Sequence, residues 1–304
     1  MSLVSPSVER PTAARSPAAL APLFCLILVG GLLGLTTTLV KLAAASGWHP
    51  LPFLFWSVLG ASALLLGLAV ATGAPPATER AHLRYYVMSG LISITLPNAL
   101  AFLAVPHVGA GFVSLCLAFP PMLTYVLALL LGMERIRAHR CLGILSGLGG
   151  AVLLALGKGG AGSSSPVWVA AALTGPVFLA MGNIYRTRHW PAGARPLSLA
   201  PGMLTAGALL LLPMAGMVSF RPPALDGTAG GLLAAQTVVF AGAYAFHFIL
   251  QKLAGPVYLS QIGSVGALLG AAFAVLVLGE AADPVLGAAL ALILAGVVLV
   301  NRRK

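Results

Sequence analysis

Long, uninterrupted apolar stretches are the feature of this sequence that most limits its fold. Each is about the length that an α-helix needs to cross the roughly 30 Å hydrocarbon core of a bilayer. Only 8% of the 304 residues are charged, against roughly 25% in ordinary soluble domains, so the chain lacks the polar surface of a soluble protein. A disordered chain is also excluded, because disorder requires low hydrophobicity and high charge. The sequence therefore predicts an integral membrane protein.

Proline, glycine and clusters of charge divide the apolar sequence into ten runs. The predicted fold class is all-α, with ten transmembrane helices. A β-barrel is disfavoured because barrel strands alternate apolar and polar residues over about ten positions. The runs lie near residues 22–42, 51–73, 84–104, 107–131, 141–157, 167–187, 197–219, 229–252, 255–279 and 284–301.

The basic residues give an independent test of this topology, because Lys and Arg accumulate in cytoplasmic loops. If the first span starts in the cytoplasm, 14 of the 17 basic residues, Arg186 among them, fall on the cytoplasmic side. Only Lys41, Lys158 and Arg221 fall on the other side. Both termini are then cytoplasmic. The net charge of +11 follows from this orientation and does not indicate nucleic-acid binding, which needs one basic face.

The two halves of the chain match each other at a constant offset of 146 residues. The matched pairs include Phe102 with Phe248, Ser114 with Ser260, Glu134 with Glu280 and Gly150 with Gly296. Each half holds five spans, and an odd number predicts that the second half inserts in the opposite direction, giving two inverted repeats.

The spans and the repeat together define the predicted organisation. The segments are a cytoplasmic tail at 1–21, a first repeat at 22–157, a periplasmic linker at 158–166, a second repeat at 167–301 and a cytoplasmic C-terminus at 302–304. Two related bundles around a midplane site are typical of alternating access.

The ends of the fourth and ninth spans carry a family resemblance. Leu131-Gly132-Met133-Glu134 leads into a Gly-rich fifth span, and Leu278-Gly279-Glu280 leads into the tenth. With Gly34, Lys41 and Pro50 at the first span, residues 22–301 resemble the drug/metabolite transporter superfamily, specifically its EamA-type ten-helix exporters. Within that group the chain is most similar to the YddG-like exporters of aromatic and neutral amino acids. It departs from the group at Phe55-Trp56-Ser57, where members often carry an arginine.

Acidic residues are absent from the middle of every predicted span. Glu134, Glu280 and Asp283 lie at span ends, where the glutamates are interpreted as loop anchors. A proton-coupled exporter of cations usually needs a buried carboxylate, so a neutral or zwitterionic substrate is favoured. The basic residues also lie at span ends, which counts against phosphorylated or nucleotide-linked substrates.

Polar side chains on four spans are the candidates for a substrate pathway. On the eighth span they repeat at helical spacing, which places them on one face. The alternative is hydrogen bonding between helices, which contributes less than about 1 kcal/mol per contact. Asn183 is interpreted as structural. The candidates are Thr37, Asn98, Tyr244, His247, Gln251, Tyr258 and Gln261.

Helix-breaking residues within the spans are the second pointer, because broken helices expose backbone groups to substrate. Pro97 frees a backbone carbonyl beside Asn98, and Gly175-Pro176 is predicted to break the sixth span. The predicted breaks and hinges are Pro97, Pro120, Pro121, Gly175, Pro176 and Gly266.

These features, with the resemblance, predict an amino-acid or small-metabolite transporter of the bacterial inner membrane, working as an exporter or facilitator by alternating access. The alternative is a proton-coupled exporter of toxic or drug-like compounds. No metal spacing, cofactor motif or ATP-binding motif is found. An enzyme is not expected, because no His or carboxylate cluster is present. The expected oligomeric state is a monomer or a weak oligomer.

Overall fold

The structure is a computed structural model that describes residues 17–132, 136–159, 165–216, 218–219, 227–259, 261–281 and 284–301. Its regular elements within these ranges are all helical, which confirms the all-α class. Seven helices are long and apolar enough to cross a membrane. Three shorter apolar helices accompany them, at Ala138–Leu153, Ile262–Leu276 and Pro284–Leu299.

The described residues of the first half form seven helices. Helix α3 passes through a π-helical turn, Leu91–Thr95, directly into α4, so that one continuous rod spans Arg80–Val108. The helices are α1 Pro17–Ala45, α2 Pro50–Ala71, α3 Arg80–Gly90, α4 Leu96–Val108, α5 Ala110–Cys116, α6 Pro120–Leu130 and α7 Ala138–Gly159.

The described residues of the second half form five helices, of which α10 is the longest at 33 residues. A short 3₁₀ turn, Leu212–Gly216, follows α9. The helices are α8 Pro166–Arg188, α9 Pro196–Leu209, α10 Gly227–Leu259, α11 Ile262–Leu276 and α12 Pro284–Asn301.

Helix starts follow from proline chemistry. Pro50, Pro120, Pro166 and Pro196 occupy the first turns of α2, α6, α8 and α9. Proline suits this position because the missing N–H would have no partner in the helix and its φ angle is already helical. The prolines of this chain therefore mark where most of its helices start.

Helix boundaries recur at the offset seen in the sequence. Pro50 and Pro196 open α2 and α9, 146 positions apart. Three residues before each proline, Gly47 and Gly193 adopt left-handed φ angles of 89° and 72°. Helix α2 packs against α9, and α7 packs against α12. Two pairs of helices at matching positions in the two halves are thus in contact with each other.

Glycines allow α1 and α11 to touch backbone to backbone. A Cβ on Gly34 would lie 2.7 Å from the Gly270 nitrogen and 2.8 Å from the Gly266 oxygen. Real side chains do not approach backbone so closely, so this crossing requires glycine. The glycine pairs of these two helices therefore pack within one chain, as small residues do in membrane helix pairs.

Candidate functional site

A cavity of about 120 Å³ lies among α1, α4, α5, α8, α10 and α11. Most of its lining is apolar, including Leu33, Ala101, Val113 and Leu179. The polar lining residues are Ser93, Asn98, Asn183, Arg186, Tyr244 and His247. Concave sites with a few convergent polar groups in an apolar wall are typical of small-molecule binding.

Arg186 carries the positive charge of this cavity. Its residue is only 3% exposed. Its Nη2 donates a hydrogen bond to Oδ1 of Asn183 at 2.7 Å and lies 3.2 Å from Nε2 of His247. A guanidinium only donates, so Nε2 of His247 accepts and the ring proton lies on Nδ1. His247 is therefore a neutral hydrogen-bonding ring at this contact.

No carboxylate balances Arg186 within the described ranges. The two acidic residues described there are paired elsewhere, Glu79 with His82 at 3.7 Å and Glu280 with Lys41 at 3.9 Å. Nε of Arg186 is buried and has no hydrogen-bond partner. The cavity thus has an uncompensated positive charge at one wall.

Asn98 and Tyr244 join the two halves across the cavity. Nδ2 of Asn98 donates to the Ile94 carbonyl at 2.8 Å and to the Tyr244 hydroxyl at 3.3 Å. Both bonds use the amide nitrogen, so the amide oxygen of Asn98 remains as an acceptor. The two residues are 146 positions apart. A pair that matches in the sequence repeat is therefore in direct contact.

Three prolines line the cavity, and each is accompanied by the residue four positions before it. Proline has no N–H, so the carbonyl four residues earlier loses its usual helical partner. The chain compensates at Pro120, where the Phe119 N–H donates to the Cys116 carbonyl at 3.2 Å. The lining pairs are Ser93 with Pro97, Cys116 with Pro120, and Ala172 with Pro176.

Among the other predicted pathway residues, Thr37 and Gln251 lie elsewhere. Oγ1 of Thr37 is buried, 2.7 Å from Oγ of Ser114, and bonds the Gly34 carbonyl. Thr37 of α1 thus bonds both its own helix and Ser114 of α5. Gln251 lines a separate pocket beside Trp190. Neither residue belongs to the lining of the central cavity.

The two candidates at the start of the ninth span also lie outside that lining. Gln261 is half-buried and precedes α11, where its carbonyl accepts from Val265 N–H at 3.2 Å. Tyr258 is in α10, but its side chain lies outside the described residues.

The predicted helix breaks have different outcomes. Helix α5 ends at Cys116 and α6 begins at Pro120, with Pro121 buried at its first turn. The predicted break at Gly175-Pro176 is wrong, because α8 continues through both residues. Membrane helices tolerate internal proline when neighbouring groups satisfy the freed carbonyl. Gly266 is likewise inside α11, where it packs against the Gly30 carbonyl.

Sequence reasoning missed three polar residues of the cavity, Ser93, Asn183 and Arg186. Arg186 was counted as a loop charge, and Asn183 was interpreted as structural, but both line the cavity. The signal was present, because both residues continue the helical face that begins at Ala172, Gly175 and Leu179. Helix α8 extends to Arg188, so this face carries Arg186 inside the bundle.

A second charged cluster lies at the N-terminus of α5. Oε1 of Glu280 accepts from Ala110 N–H at 2.8 Å, and Oε2 accepts from Gly111 N–H at 3.0 Å. Lys41 lies 3.9 Å from Oε1. A carboxylate at a helix N-terminus is stabilised by the free N–H groups and the helix dipole. Glu280 thus anchors a loop to a helix end; its counterpart in the repeat, Glu134, lies outside the described residues.

Comparison with known proteins adds family and fold. No curated protein matches this sequence. A solved crystal structure of a protein with 21% sequence identity superposes with a TM-score of 0.63, covering 94% of this chain and 96% of that chain. This likeness shows a shared fold. Residues 20–156 match the model of the EamA-like transporter family. The chain is therefore a multi-pass membrane protein, and its residues 20–156 are similar to the EamA-like transporter family.

Proposed function

We propose that this protein transports amino acids, especially neutral and aromatic ones, or similar small metabolites across the membrane. The observation that carries the proposal is the central cavity, where polar groups meet an extensive apolar wall. A neutral amino acid likewise combines a polar head, formed by its ammonium and carboxylate groups, with an apolar side chain. The EamA family match at residues 20–156 supports transport rather than catalysis.

The polar groups of the cavity suit a zwitterion. Arg186 provides positive charge for a carboxylate, while the Asn98 amide oxygen provides an acceptor for an ammonium group. None of the described lining residues is acidic. A cationic drug would meet an uncompensated guanidinium in such a cavity. The charges therefore favour an amino acid over the alternative of cationic drug export.

Alternating access is proposed as the mechanism, with ten spans in two inverted five-helix repeats. Three observations support it: helix starts that recur at an offset of 146, packing between matching helices, and the contact of Asn98 with Tyr244. Inverted repeats provide two structurally related conformations, one open to each side. Rocking of the halves would carry the cavity from one side to the other.

The loop charges support a proposed orientation in the membrane. We propose that both termini are cytoplasmic and that the protein lies in a bacterial inner membrane, moving substrate outward as an exporter or facilitator. The basic bias remains at 13 residues against three once Arg186 is assigned to the cavity.

Purified protein in liposomes tests the function. Vesicles loaded with unlabelled phenylalanine or leucine should take up the labelled amino acid faster than protein-free vesicles, with saturation and with stimulation by the loaded substrate. Stimulation from the opposite side identifies a carrier, since a channel shows neither effect. Rates equal to those of empty vesicles across a broad panel of amino acids would contradict the proposal. Acceleration by an imposed pH gradient would show proton coupling instead of facilitated passage.

A further inference from the structure

We propose that Arg186 binds the carboxylate of the transported molecule, so that a carboxylate is the group that this cavity selects. The proposal rests on the proposed function and specifies which chemical group of the substrate the site recognises. It is carried by the position, burial and hydrogen bonds of this one side chain.

The first step is the free-energy cost of burying the charge of Arg186. An ionised group away from water is strongly unfavourable unless it is paired, and charged residues inside membrane segments are functional by default. Arg186 is 3% exposed, and neither acidic residue of the described ranges lies within pairing distance. A partner of opposite charge brought in by a ligand would remove this penalty in the loaded state.

The second step is the set of free donors. Guanidinium carries five N–H groups, and the two hydrogen bonds observed on Arg186 both involve Nη2. Nε is buried and unpartnered. Because Arg186 lines the cavity, these remaining donors lie next to the space that a ligand would occupy. Arginine binds a carboxylate through two parallel N–H bonds, which makes it more selective for this group than a lysine ammonium.

The third step is the nature of the supporting groups. Asn183 and neutral His247 accept hydrogen bonds from Nη2 and so fix the plane of the guanidinium. Neither group carries a negative charge, so they orient Arg186 without neutralising it. An aspartate or glutamate in either place would satisfy the charge internally. The arrangement is that of a cation held ready for an anion from the cavity.

Transport by matched substrates tests the proposal. Liposomes with wild-type protein, Arg186→Gln, Arg186→Lys or the control Arg188→Lys are given phenylalanine, phenylalanine amide or phenylpropionate. Arg188 is an exposed residue on the same helix and is a matched control. We expect wild type to transport the amino acid at least tenfold faster than its amide. Arg186→Gln should lose at least tenfold in rate and lose the preference for carboxylate, while Arg186→Lys retains part of both.

Ligand binding provides a readout that does not depend on transport. Phenylalanine and phenylpropionate should raise the melting temperature of the wild-type protein in detergent, and the amide should not, because only a carboxylate pairs with Arg186. Arg186→Gln should lose this response while remaining folded by size exclusion and by its melting transition.

The outcomes separate this proposal from the proposed function. If Arg186→Gln keeps the wild-type ratio of acid to amide in both assays, the carboxylate assignment is overturned and amino-acid transport stands. If phenylpropionate is bound and transported but the amino acid is not, the carboxylate assignment stands and the amino-acid proposal fails. Stabilisation by none of the carboxylates would overturn the role of Arg186 directly.

Discussion

Two charged side chains, Glu280 and Arg186, occupy opposite situations in the same bundle. Both carboxylate oxygens of Glu280 accept backbone N–H bonds from the start of α5, and Lys41 lies alongside. Arg186 is more deeply buried, yet its two observed hydrogen bonds share one nitrogen and its Nε has no partner. The charge of Glu280 is therefore paired within the fold. Arg186 is hydrogen-bonded only by neutral groups, which do not neutralise its charge.

The difference shows how to separate structural from functional charge in a membrane protein. A satisfied charge, such as Glu280, stabilises the contact it makes. An unsatisfied buried charge reduces stability and persists because a ligand uses it, which is the usual relation between strain and function. Removing each charge should therefore change stability in opposite directions.

Replacing Glu280 should have the largest effect on stability. Glu280→Gln loses the negative charge and replaces one acceptor oxygen with an NH₂ group that faces a backbone N–H. Hydrogen bonds to charged groups contribute about 1.5–3 kcal/mol each. Because the Glu280 side chain is 23% exposed, we expect a loss of about 2 kcal/mol in the free energy of unfolding, measured by thermal or denaturant unfolding in detergent.

Transport by the same variant sharpens the comparison. The KM of Glu280→Gln should remain within about twofold of wild type, since a fully satisfied carboxylate contributes nothing to a ligand. The control is Glu79→Gln, whose side chain is 80% exposed; its stability should change by less than about 0.5 kcal/mol. A large rise in KM without loss of stability would place Glu280 in the substrate pathway and contradict the distinction.

Replacing Arg186 with methionine should act in the opposite direction. Methionine fills a similar volume without a charge, and buried charges replaced by apolar residues often leave a protein as stable or more stable. We expect Arg186→Met to raise the unfolding free energy by about 1 kcal/mol in the absence of substrate. The exposed neighbour Arg188 provides the control, because Arg188→Met should leave the unfolding free energy unchanged. A clear loss of stability in Arg186→Met alone would show that Arg186 serves the fold.

Much of the fold could be predicted from the sequence because bilayer and backbone chemistry restrict it strongly. The apolar runs predicted where helices lie, and Pro50 and Pro196 marked the starts of α2 and α9. The continuity of α8 through Gly175-Pro176 could not be predicted in this way. Whether a proline breaks a helix depends on the neighbours that satisfy the freed carbonyl, and these come from distant parts of the chain.

The site was predicted less completely for the same physical reason. Asn98, Tyr244 and His247 stood out because polar groups are rare in apolar spans, and all three line the cavity. Arg186 did not stand out, because a basic residue near the end of a span is usually a loop charge. Only the packing of α8 against α4 and the other cavity helices buries it. Depth in the bundle, which decides the role of a charge, cannot be read from position along one helix.

The start of α2 provides the smallest test, because there a neutral ring does what the Glu280 carboxylate does at α5. Nδ1 of His49 accepts the Leu51 N–H at 3.3 Å, and burial lowers the pKa of His49 from its ordinary 6.5. The unfolded ring takes up a proton near pH 6.5 and the folded ring does so only at lower pH. The contribution of His49 to stability is therefore complete above about pH 6.5 and is lost as the pH falls through that value towards the folded pKa. His49→Asn keeps an N-cap acceptor that does not titrate, so melting temperatures at pH 7.5 and 5.0 should differ slightly less in this variant than in wild type. An equal difference in both proteins would show that the cap is indifferent to protonation, unlike a cap that depends on charge as Glu280 does.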